Sequence, residues 1–72
     1  MKNDRQIQSD VLVEIEQEPN VPAGSIGVEV HHGVVKLAGR VNDSAMKERA
    51  ELAARRVDGV SDVVMDMSAS QV

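Results

Sequence analysis

Apolar residues recur four positions apart at Ile7, Val11 and Ile15, with Leu12 beside them, while Gln8, Asp10 and Glu14 fall elsewhere on the wheel. This spacing predicts an amphipathic helix over Asp4–Glu16. Asn3 or Asp4 can cap its start. Glu18-Pro19-Asn20 ends it, because proline disfavours a helical conformation in the residue before it, and Pro22 and Gly24 mark the segment that follows as a loop. From Ser25 the period changes to two. Ile26, Val28 and Val30 share one face of a strand and Gly27, Glu29 and His31 the other. His32-Gly33 marks a tight turn in which glycine takes a positive φ, and Val34–Val41 alternates again with Val35, Leu37 and Val41 on one face, so the two strands form a hairpin. Gly39 falls on that inward face, where the missing side chain lets a helix backbone approach closely or permits a bulge.

After the capping residues Asn42-Asp43-Ser44, the positions Met46, Ala50, Ala53, Ala54 and Val57 follow helical spacing and predict a second helix with a mostly alanine buried stripe. Glu51 and Arg55 are placed to pair on its solvent side. Gly59 is expected to cap that helix, and Val60–Met67 reads as a third strand with Val63, Met65 and Met67 inward. The outward positions Glu29, His31, Val34, Lys36, Ala38, Arg40, Val64 and Asp66 make a mixed surface, so both helices must pack on the other side. The fold class is α+β: a two-layer αββαβ sandwich, two helices on one face of a three-stranded mixed sheet. The pattern leaves open whether the third strand lies beside the first or the second. One domain over residues 4–67 is expected, with 1–3 and 68–72 frayed.

Composition narrows what such a domain does. The 72 residues contain no Phe, Tyr, Trp or Cys. The core is therefore aliphatic, disulfides and thiolate metal sites are excluded, and a net stability of ~3–5 kcal/mol suits so small a chain. Twelve acidic against eight basic residues give a net charge of −4, which repels a phosphate backbone, and without rings there is no platform for base stacking. No nucleic-acid partner is expected. The polar start MKNDRQIQSD lacks the apolar run of a secretory signal, and no stretch is apolar enough to span a bilayer. A soluble chain that stays in the cytoplasm is expected as written, or a periplasmic one if a leader has been removed.

Candidate chemistry is sparse. His31-His32 is the only histidine pair; adjacent strand residues point to opposite faces, so two solvated turn histidines are expected rather than a metal site, unless the turn twists them together. Asp10, Glu14, Glu16 and Glu18 read as the polar face of helix one. Ser9, Ser25, Ser44, Ser61, Ser68 and Ser70 read as caps and loops, since none sits in a nucleophile elbow. No catalytic residue, cofactor or metal ligand is expected. The surface cluster that stands out is Lys47, Arg49, Arg55 and Arg56 on helix two with Arg40 just before it, a place where an anionic lipid headgroup or an acidic protein partner would dock.

The segment GVEVHHGVVKLAGRVNDSAMKERAELAARRVDGVSDVVMDM, preceded by a helix leaving through EQEPNV, resembles the BON domain family (bacterial OsmY and nodulation domain) over about Asp4–Met67. The matching glycines are Gly33, Gly39 and Gly59, with backbone roles. The resemblance implies a non-catalytic module attaching to a phospholipid surface or a protein partner and linked to osmotic or envelope stress. The alternative from another class is a structural homodimer joined through open sheet edges or through Val34, Ala38 and Val64.

Overall fold

In the computed structural model, which describes residues 2–19 and 21–69, the elements follow in the order α1 (Asp4–Glu16), a 3₁₀ turn (Ala23–Ser25), β1 (Ile26–His31), β2 (Val34–Val41), α2 (Ser44–Arg55) and β3 (Asp62–Ala69). The sheet runs β1-β2-β3, with β1 antiparallel and β3 parallel to β2. The third strand therefore lies beside the second, and the sheet is mixed as expected. Both helices cover one face.

Local chemistry accounts for each boundary. Asn3 closes a capping box with Gln6: its side chain accepts the Gln6 N–H at 2.9 Å, and Gln6 Oε1 accepts the Asn3 N–H at 3.1 Å. At the other end Gln17 caps α1 and Pro19 follows two residues later. The expected loop contains a single 3₁₀ turn, closed by the Ser25 N–H on the Pro22 carbonyl at 2.8 Å. Asp43 starts α2 by accepting the Met46 N–H at 2.9 Å. Ile7, Val11 and Ile15 of α1, Val35, Leu37 and Val41 of β2, and Ala50, Ala53 and Ala54 of α2 form one buried aliphatic cluster. The alanines bring α2 close over β2 and β3, while α1 lies against β1.

Three expectations need correction. First, Gly39 is exposed and has φ 141°; an added Cβ would fall inside contact distance of the Ser25 carbonyl oxygen, so the close approach comes from the 3₁₀ turn entering β1, not from a helix. The β1–β2 register runs unbroken past it, from Ile26–Gly39 to His31–Val34, without a bulge. Second, Arg56 caps α2, and Gly59, at φ 95°, sits three residues further in the turn toward β3, against Ile7. Third, β3 begins at Asp62 instead of Val60, because Val60 closes that turn on the Val57 carbonyl and the Ser61 N–H is held by the Gly33 carbonyl at 2.9 Å. The described residues near the two ends also make contacts. Lys2 pairs with Asp10 at 2.7 Å, Asn3 caps α1, and Ser68 and Ala69 continue β3 because β2 still offers Arg40 and Val41 as partners. Met1, Asn20 and residues 70–72 lie outside the described residues.

Candidate functional site

Strand alternation places Arg40 on the sheet face turned away from the helices, whereas Lys47, Arg49, Arg55 and Arg56 belong to the helix layer. The five cations anticipated as one cluster are thus divided between two sides of the molecule. Three of them are also engaged internally. Arg56 bridges from the end of α2 to α1, with its guanidinium 2.6 Å from Glu18 and 3.4 Å from Glu14. The hydrogen bond to Glu18 raises its pKa above the usual guanidinium value, against a smaller opposing effect of desolvation. Arg55 lies 3.0 Å from Glu51, the expected helical pair, and 3.8 Å from Asp62 at the start of β3. Arg49 donates to the Pro19 carbonyl at 3.4 Å. The side chains of Arg40 and Lys47 make no hydrogen bond or ion pair among the described residues.

Three of the four carboxylates read as the acidic face of helix one are absorbed in the same way. Asp10 holds Lys2, and Glu14 and Glu18 hold Arg56, so the carboxylates tie the N-terminus and the second helix to the first. Their separation along the chain, 38 residues for Arg56 and Glu18, hides these contacts from any local pattern.

The hairpin turn carries the arrangement that sequence reasoning missed. His32 has φ 51° and Gly33 φ 81°, the pair of positive values a two-residue primed turn requires. Asp4 lies over this turn; its two carboxylate oxygens accept the His32 N–H at 2.9 Å and the Gly33 N–H at 3.1 Å. Those two hydrogen bonds, the His32 one foremost, hold the Asp4 carboxyl below the usual carboxylate range. Asn3, not Asp4, caps α1, which leaves Asp4 for this clamp. The left-handed His32 also swings the histidine rings together: their centroids stand 4.6 Å apart, edge to face at 76°. The two imidazoles therefore share one exposed site instead of pointing to opposite faces. Among the described residues no group of three His, Cys, Asp or Glu side chains is placed to hold a metal ion.

An open cleft of about 790 Å³ lies between the start of α1, this turn and Asp58-Gly59, lined by Lys2, Asp4, Gln6, Ile7 and His32 among others. Its best-placed carboxylate, Asp4, already has both oxygens committed to backbone N–H groups, so the cleft offers no free general base at that position. Ser25 and Ser61 stand at the 3₁₀ turn and on the approach to β3, the loop positions expected of them, whereas Ser9 lies inside α1, Ser44 is the first residue of α2 after its Asp43 cap, and Ser68 lies in β3. Among the described residues no helix is long and apolar enough to cross a membrane. Apolar side chains do reach the surface at Leu52, 58% exposed on α2, Val13, 47% exposed on α1, and Val64, 46% exposed on β3.

Two comparisons with known proteins bear on this surface. The family model for the BON domain matches residues 3–71. The osmotically-inducible protein Y of Escherichia coli (strain K12) is 37% identical over 59 residues, which cover 82% of this chain and 29% of that protein. The chain thus spans under a third of the relative it matches.

Proposed function

The chain belongs to the BON domain family, and on that premise we propose that it is a non-catalytic interaction module of the osmotic-stress response whose docking surface meets a protein partner. One observation carries the choice of partner: Arg55 and Arg56, the cations a lipid headgroup would use, sit within 2.6–3.8 Å of the molecule's own Glu14, Glu18, Glu51 and Asp62. The helix layer therefore presents balanced charge around the exposed Leu52 and Val13, the mixture of apolar and paired polar groups that protein interfaces use. The non-catalytic reading is supported by the titrating groups. The displaced pKa values of Lys2, Asp4 and Arg56 are each accounted for by a structural hydrogen bond at the surface. The link to osmotic stress rests on the name of the relative.

A second reading, attachment to a phospholipid surface, is favoured by Arg40 and Lys47, whose charges are not matched by an ion pair among the described residues. Co-sedimentation with phosphatidylglycerol vesicles and with neutral phosphatidylcholine vesicles, at low and moderate salt, separates the two. The chain is expected to stay in the supernatant under all four conditions. Salt-sensitive pelleting with the anionic vesicles, lost in the Arg40→Glu, Lys47→Glu chain, would replace the protein partner with the lipid surface.

A further inference from the structure

The two edges of the sheet are not equivalent. On β1 the Gln8 amide of α1 donates to the Val28 carbonyl at 2.9 Å, which laces the helix to that edge strand. On β3 no strand lies beyond the outer side among the described residues, and its sequence DVVMDMSA contains neither proline nor lysine, so the charges that guard this edge are Asp62 and Asp66. The ladder to β2 is continuous from Asp62 to Ala69, so no bulge twists the edge away. Met65 faces the core side and yet stays half-exposed at this edge.

We propose that β3 is the seam of a homodimer, pairing antiparallel with β3 of a second copy about a two-fold axis at Met65. Charge and the length of strand paired together select that register. Centred on Met65, Asp62 faces Ser68, Val63 faces Met67 and Val64 faces Asp66, so no aspartate opposes an aspartate. Centred on Val64, Asp62 would face Asp66 twice; centred on Asp66, that residue would face itself, and like charges directly opposite are unfavourable. The neighbouring strand strengthens the choice. Ser68 is registered with Arg40 and Val64 with Lys36 on β2, so Asp62 and Asp66 of one copy, each already 3.8 Å from a cation of its own chain (Arg55 and Lys36), come one residue away from a cation of the other on the same sheet face. Strand spacing puts these Cα atoms about 10 Å apart, a span two long charged side chains can close. Arg40, without an ion-pair partner among the described residues of its own chain, gains one in the dimer. The same joining makes one six-stranded sheet with four helices on one side and covers both copies of Met65.

This inference goes beyond the proposed function and stands whichever partner the helix layer meets. Its test uses the whole chain. Sedimentation from micromolar to millimolar concentration, in moderate salt to screen the −4 charge on each copy, is expected to show a reversible monomer–dimer equilibrium. Val64→Asp, at an exposed position, should weaken it about tenfold by opposing Asp66 twice, and adding Asp66→Lys should restore it. Because the chain has no cysteine, Met65→Cys is a clean probe of the axis: facing strand residues fall within disulfide reach, and oxidation should give a covalent dimer far faster than Glu29→Cys on β1. A monomer at every concentration, or equal cross-linking at the two positions, would overturn the proposal.

Discussion

The three leucines of this chain form a graded test of the packing. Leu37 is 0% exposed at the centre of β2, registered between Val28 and Met65; Leu12 packs half-buried against the core; Leu52 is 58% exposed on the outer side of α2. Truncation to alanine removes the same atoms at each site, so the cost follows burial. At Leu37 the lost transfer energy and the cavity together cost about 3–4 kcal/mol. Leu12→Ala costs about 1–2 kcal/mol, and Leu52→Ala about zero, since alanine is at least as good a helix former. Against a total of ~3–5 kcal/mol the first substitution consumes nearly all the stability. Urea unfolding followed by circular dichroism reads this directly: with a slope of roughly 1 kcal/mol/M, Leu37→Ala should move the midpoint by about 3 M or leave the chain unfolded without urea. Leu52→Ala should leave it in place. A Leu52→Ala chain as unstable as the Leu37→Ala chain would mean that α2 turns Leu52 toward the core, which refutes the burial argument.

Three smaller perturbations probe single contacts. Asp4 has its folded pKa depressed, so the stability it contributes is present above its unfolded value of about 3.9 and is lost as pH falls through the folded value; Asp4→Asn should lower the melting temperature at pH 7 and flatten its decline between about pH 5 and pH 2, and an unchanged acid profile would remove Asp4 from the account. Gly39→Ala forces a side chain into a φ of 141° and onto the Ser25 carbonyl, and should cost more than about 2 kcal/mol by thermal unfolding. Asp43→Ala removes the α2 cap and should cost about 1 kcal/mol, with Asp43→Ser recovering most of it.

What the sequence made legible follows the range of the physics. Bounds of α1 and β2, and the start of α2, were readable because periodicity and capping are local: Ile7, Val11 and Ile15 repeat at helical spacing, and Asn3 and Asp43 stand where caps belong. The place of β3 beside β2 was not, since alternation identifies an inward face without naming a neighbour. Long-range polar contacts were equally hidden. Nothing near Asp4 announces a turn 28 residues away, and Arg56 reads as one cation of a basic helix until Glu14 and Glu18 arrive beside it. The histidines show how one dihedral decides a site. Adjacent strand residues diverge, but His32 is in the turn, and its positive φ turns divergence into contact.

The ion pairs between the helices bear on function more than on stability. Exposed pairs of this kind contribute little individually, so the weight of Arg56 with Glu14 and Glu18 lies in what it removes from the surface. An anionic ligand approaching α2 has to compete with carboxylates already in place, and Arg55 meets the same obstacle in Glu51 and Asp62. Among the five cations singled out, recognition then falls to Arg40 and Lys47, and these do not converge, since Arg40 projects from the sheet face opposite the helices while Lys47 belongs to the helix layer. A single headgroup cannot draw on both layers equally. A protein surface can, because it reads apolar Leu52 and Val13 on the helices with paired charges around them and does not need a concentrated positive field.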